Sequence, residues 1–290
     1  MLVMCFWLER GLAVIIWWGV VLPVVPWPAV EVGTLLVRPV GAALDYLRGR
    51  VLRAVGEVHE DPVSVVVARE TLIGACRESS RVALAVEYFN VEQQSLLDEW
   101  VAGRIAWRVL LEKYRAGPEG FPLEKYRPLL EAARSCGARI VGVMPPRSAA
   151  SMVARSGRLP GRAGGYEVDP RPEAWPGYTR ALARLFPRSG PMARIPVERL
   201  LLAQSYKDSV AAGRVAGLLE DGYIVVLVMG WAHVELPGAV VERVVSRLGV
   251  PRESVGVVGV RRLDLGVLDV GVLSTDTIAG YLVVADGEYR

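Results

Sequence analysis

The chain alternates short, nearly unbroken β-branched runs with longer stretches in which apolar residues recur every three or four positions. Val51–Val55, Val82–Val86, Arg139–Val143 and Ile224–Met229 read as strands buried on both faces, because a strand with one wet face would alternate apolar and polar side chains. Val255–Val260 and Tyr281–Ala285 read as two more. The intervening helical patterns have recognisable ends. Asp61 before Pro62 is an N-cap with proline at the first helical position, and Val63, Val66 and Ile73 follow on one face. Asn90 and Gln93 have the spacing of a capping box ahead of Leu97, Trp100 and Val101. Pro196 opens a long helix to about Leu219, closed by Asp221 and Gly222. Pro237 opens another, carrying Val240, Val241, Val244 and Leu248 up to Gly249. This alternation predicts an α/β fold with a mostly parallel central sheet flanked by helices on both faces.

Two regions break the rhythm. Residues 157–191 are rich in Gly, Pro and Arg with little periodicity, and read as an excursion or lid, or as a solvated insertion. Residues 11–30 carry no charge and follow Arg10, a run of membrane-spanning length. Pro23, Pro26 and Pro28 break its second half, so residues 12–22 read as a short apolar helix and the stretch around Trp27 as extended. Residues 1–35 are therefore expected to be a hydrophobic segment, either a membrane anchor or an arm packed on the domain or a partner, and residues 45–290 the α/β domain. Membrane association through that segment is the favoured location, with a soluble cytoplasmic protein as the alternative.

Composition sharpens this in three ways. The hydrophobic share of 52% in 290 residues allows a large core as well as the apolar N-terminus. A net charge of +3, with arginines scattered among acids, gives no basic stripe and argues against nucleic acid. The three cysteines, Cys5, Cys76 and Cys136, have neither a disulfide-framework spacing nor paired zinc spacing, so they do not fix the redox compartment.

In a parallel sheet, ligands bind beyond the carboxyl ends of the strands. The polar residues gather there: Gly56-Glu57-Val58-His59 after the first strand, Glu87 at the end of the second, and Gly230-Trp231-Ala232-His233 after the fourth. His59 and His233 are the only two histidines of the chain, and both follow a glycine at a strand end. A lone histidine is usually a hydrogen-bonded structural residue, but this pairing, with two carboxylates on the same rim, points to one pocket. On the helix after Pro196 the core-facing stripe is interrupted by Gln204 and Asp208, where Asp208 can orient a histidine or a ligand, or meet an arginine or a solvated groove. Lys207 beside them reads as solvent-facing. Tyr88, Phe89, Trp107, Tyr114 and Trp231 can line an apolar slot or be ordinary core. Arg147, after Pro145 and Pro146, can hold a propionate or phosphate, or serve the surface.

These residues, in order, are similar to the ChaN-like haem-binding uptake proteins: Gly56-Glu57-Val58-His59, Glu87-Tyr88-Phe89, Gln94 with Leu97 and Gly103, Trp107, Tyr114, the run Tyr126–Arg134, Pro146-Arg147, Ala203-Gln204 with Asp208, and Gly230 with His233. The resemblance spans about Val51 to Ala285, and it departs from the family where a second histidine a few residues after the first motif is replaced by Val65–Val67. It implies a haem-binding protein, with His59, Glu87, Tyr88, Gln94, Arg147, Gln204, Asp208, Trp231 and His233 around the cofactor and His59, His233 or a tyrosine near iron or propionates. The wider group, with Tiki and TraB proteins and erythromycin esterases, implies the alternative. There Glu57, His59, Glu87 and His233 hold a divalent metal, or Glu57, His59 and Glu87 are catalytic in ester or peptide hydrolysis. The expected partners are haem or another small ligand, a membrane through residues 11–30, and a second copy of the chain in a homodimer.

Overall fold

Strands that lack a polar face need cover on both sides, and in the computed structural model they have it. The structure describes residues 14–17, 20–23, 27–32, 36–117, 120–161, 168–186, 189–263 and 278–286. Its elements are β1 (Val14–Trp17), β2 (Val20–Pro23), β3 (Pro28–Glu31), β4 (Leu36–Pro39), α1 (Val40–Leu47), β5 (Leu52–Glu57), α2 (Pro62–Glu78) and β6 (Val82–Asn90). There follow α3 (Gln94–Val101), α4 (Trp107–Arg115), α5 (Leu123–Ser135), β7 (Arg139–Met144), α6 (Arg147–Ser156) and α7 (Tyr178–Ala183). The chain continues with α8 (Val197–Glu220), β8 (Ile224–Gly230), α9 (Trp231–Glu235), α10 (Val240–Leu248), β9 (Val255–Leu263) and β10 (Tyr281–Asp286).

Among the described residues, eight strands form one sheet in the order β4-β3-β10-β9-β5-β8-β6-β7. The six from β10 to β7 run parallel, whereas β3 is antiparallel to both β10 and β4. The expected mostly parallel α/β sheet is thus the observed one. Val55, Leu84, Val226 and Val258 pack on one face with Leu72 of α2 and Leu129 of α5. Ala54, Ala83, Leu227 and Val257 pack on the other with Val215 of α8 and Val244 of α10. The chain goes from β5 outward to β6 and β7, returns to place β8 beside β5, then crosses to β9 on the other side. That reversal opens a crevice at the carboxyl ends of the central strands.

Helix ends follow their local chemistry. The Asp61 carboxylate accepts from Val63 N at 2.7 Å, and Asn90 and Gln93 make the reciprocal capping box. Inside α2 the buried positions include Val67, Ala68, Thr71, Leu72 and Ala75, while the expected Val66 and Ile73 are only half-buried. Pro237 lies in the turn ahead of α10, which starts at Val240.

Other expectations need correction. Residues 11–13, 18–19 and 24–26 of the apolar N-terminal run, like Cys5, lie outside the described residues. Where a short helix was expected, β1 and β2 pair antiparallel, with Val14 opposite Pro23. β-branched and aromatic residues favour strands, a preference that apolar length alone does not register. β3, inside the expected segment 1–35, pairs with β10 in the domain's own sheet, as the alternative of an arm packed on the domain describes. Among the described residues no helix is long and apolar enough to cross a membrane. Cys76 and Cys136 form a disulfide across 60 residues, joining the end of α2 to the residue after α5, a pairing made by helix packing and invisible in spacing. The described part of residues 157–191 is no solvated insertion, since Tyr178, Ala181 and Leu182 pack with Leu201 and Leu236.

Candidate functional site

β5 delivers Glu57 to the crevice, and the turn that follows holds His59 in place. Val58 N donates to Ser64 Oγ at 3.1 Å and Glu60 N to Tyr126 Oη at 2.9 Å. Glu60 itself adopts φ 67°, a left-handed conformation that costs a residue with a Cβ and persists where surrounding contacts impose it. The His59 ring places Nδ1 2.7 Å from Glu57 Oε1. Glu57 is 1% exposed and also accepts from Tyr88 Oη at 2.7 Å and Tyr126 Oη at 3.2 Å. Burial is the largest influence on Glu57 and lifts its pKa above the usual carboxylate value, against the hydrogen bonds of His59 and Tyr88. Burial likewise raises both phenols, Tyr88 far above its ordinary range, so they stay protonated donors. Burial alone would lower His59, but the bond to Glu57 and the charges of Glu87 and Glu57 leave its pKa raised.

Glu87, nearly buried, accepts from Gly230 N at 2.7 Å. A Cβ on Gly230 would stand 3.0 Å from Cε1 and Nε2 of His59 and 3.4 Å from Glu87 Oε2, so glycine here lets imidazole and carboxylate close in. From α9, His233 bonds Asp208 through Nδ1 and lies with Nε2 3.8 Å from Glu87 Oε1. Asp208 also accepts from Tyr178 Oη at 2.6 Å. Burial would raise Glu87, but the charges of His233, His59 and Lys207 and the Gly230 amide bring its pKa below the ordinary value. The two histidines therefore meet at one carboxylate, each oriented through Nδ1 by a carboxylate of its own.

His59, Glu87, Phe121, Met144, Arg147 and Lys207 are among the residues lining a cleft of about 390 Å³. The His59 side chain is 45% exposed and that of His233 14%, so His59 is the imidazole more open to the cleft. Phe121 sets its ring edge-on to both His59 and Tyr88, with centroids 5.2 and 5.5 Å away.

Several expected site residues stand elsewhere. Tyr88 is fully buried beneath the cleft, stacked on Tyr126. Phe89, Tyr114 and Trp107 are core residues, Tyr114 donating to Tyr88 O at 2.8 Å. Gln94 donates to Ile140 O at 2.9 Å and accepts from Gly142 N at 3.0 Å, standing in for a missing strand beside β7. Trp231 lies under the Arg261 guanidinium at 4.6 Å and packs beside Tyr178. Gln204 is half-buried and accepts from Lys207 Nζ at 3.3 Å. Lys207, expected in solvent, turns into the cleft, which its long stem permits. Of the expected set Glu57, His59, Glu87 and His233, the Glu57 carboxylate is taken up by the His59 ring and by the hydroxyls of Tyr88 and Tyr126. Among the described residues no three His, Cys, Asp or Glu converge to hold a metal ion. Phe121, Tyr126 and Tyr178 were not singled out from sequence. Tyr126 carried a signal in its run to Arg134, whereas nothing in the aperiodic stretch around Tyr178 marked it.

Comparison with known proteins places this arrangement in context. A family model described as "Haem-binding uptake, Tiki superfamily, ChaN" matches residues 47–244. No curated protein matches the chain by sequence. Among solved structures, ChaN of Campylobacter jejuni, described with cofacial heme binding, matches with a TM-score of 0.61 at 15% identity, over 89% of this chain and 96% of that one. A mutant of the erythromycin esterase EreC, in its open conformation, matches with a TM-score of 0.44 at 14% identity, over 82% of this chain and 77% of that one.

Proposed function

Since the chain belongs to the ChaN family of haem-binding uptake proteins in the Tiki superfamily, we propose that its cleft binds haem, with His59 as the iron-facing side chain. The observation that carries this reading is the Glu57–His59 pair. An imidazole whose Nδ1–H is held by a carboxylate keeps its lone pair on Nε2, and such a partner fixes the ring and raises its basicity as a ligand. When bound, haem would supply an iron that takes a nitrogen ligand, and His59 would hold it. The remaining lining fits a flat, largely apolar macrocycle: Phe121, Pro122, Met144 and Pro145 offer apolar surface, and Arg147 offers a cation for a propionate. Both tyrosines near Glu57 are spent as donors to it, which favours His59 over a phenolate ligand.

Hemin added to the purified protein is expected to give a saturable Soret band. His59→Ala should weaken binding by about tenfold or more, the loss expected when a histidine-type metal contact is removed. An unchanged spectrum at saturating hemin overturns the reading.

A second reading is favoured by one feature, the two carboxylate-oriented imidazoles gathered on Glu87. Such a group can move protons in ester or peptide hydrolysis, with Glu57, His59 and Glu87 as the working residues. It predicts turnover of a model ester or peptide that disappears in Glu87→Gln; a panel of such substrates left intact by the wild type rejects it.

A further inference from the structure

Lys207 is a half-buried cation whose hydrogen bond goes to a neutral group. Its Nζ bonds the amide of Gln204, reaching Oε1 at 3.3 Å, and among the described residues no carboxylate forms an ion pair with it. Glu87, His59 and His233 all feel its charge. The acids that line the cleft with it have other partners: Glu87 accepts from Gly230 N and is flanked by two imidazoles, and Glu60 is bonded to Lys125 at 2.7 Å. Arg147 adds a second positive charge to the same lining, beside the apolar faces of Phe121 and Met144. An ammonium partly withdrawn from water gains most from an anion brought by the ligand.

We infer that Lys207, with Arg147, makes the cleft selective for a porphyrin-like ligand bearing free carboxylates. The inference rests on the haem reading and names what the protein recognises at the edge of the macrocycle. It assigns Lys207 as a specificity-determining residue.

Metal-free protoporphyrin IX and its dimethyl ester separate this contact from any iron ligation, because they share the macrocycle and differ only at two side groups, anionic carboxylates in one and neutral methyl esters in the other. Fluorescence titration is expected to show the wild type binding the diacid about tenfold tighter than the ester, as for a hydrogen bond to a charged group. Lys207→Met should erase most of that preference by weakening binding of the diacid, and Lys207→Arg should retain it. Arg147→Met should reduce it partially. Circular dichroism and thermal unfolding of each variant identify any loss of fold. Equal binding of diacid and ester by the wild type, or an unaltered preference in folded Lys207→Met, overturns the inference while a hemin Soret band leaves the haem reading intact. If hemin, diacid and ester all fail to bind, the haem reading falls and the inference with it.

Discussion

At the scale of single residues, the site is a set of charges that support one another. His233 illustrates the consequence for stability. Burial would depress its pKa, but Asp208 and Glu87 hold it above the ordinary 6.5. An imidazole more basic in the folded chain than in the unfolded one stabilises the fold fully below pH 6.5, and that contribution fades as pH rises through the folded-state pKa. Glu87 is shifted the other way, so its contribution is present above pH 4.5 and is lost as pH falls through its lowered pKa. Urea unfolding of the ligand-free protein should therefore show the stability difference between wild type and His233→Gln shrinking from mildly acidic to alkaline pH. A difference independent of pH contradicts this electrostatic account. Much of the site was legible at this scale. Two histidines, each after a glycine at a strand end, with Glu57 and Glu87 beside them, marked the place. What sequence could not give was direction: Tyr88 follows the cleft residue Glu87 yet serves the core, because neighbours in a strand point to opposite faces, and Gln94, at the start of α3, serves the sheet edge.

At the scale of elements, α8 is the organising piece. It faces the sheet through Ala211 and Val215, sends Lys207 to the cleft and gives Asp208 to His233. Its hold on the segment around α7 depends on Arg243 of α10, which is fully buried. That guanidinium donates to Gly238 O at 2.7 Å and Ser205 O at 2.8 Å, and lies over the rings of Trp175 and Tyr178 at 4.8 and 4.9 Å. Replacing it with alanine removes the donor to the buried Gly238 O and to Ser205 Oγ, and is expected to cost about 1–3 kcal/mol for each group left unsatisfied. The measurement is denaturant unfolding, joined to hydrogen exchange at residues 178–183, where protection should fall first. A variant within experimental error of wild type would sink this role. Neither Arg243 nor Tyr178 was legible beforehand: an arginine in the amphipathic pattern of α10 reads as surface, and only the fold shows that it is covered.

At the scale of the whole molecule, the parallel sheet and its site were legible because buried strands carry an unmistakable run of β-branched residues and because parallel topology sends their ends to one side. The N-terminal strands were not. Short strands such as β3 and β4 carry too few residues to show a period, and an apolar run dominates any reading by length.

The insertion of β10 between β3 and β9 has a consequence for biogenesis. On the ribosome β10 follows every other strand of that sheet, so β9 waits with one margin unmatched and β3 lacks its neighbour in the sheet. Such a bare margin invites pairing with another chain. The nascent protein is thus most prone to misassociate just before this strand emerges, and the sheet is completed only by closing around a latecomer.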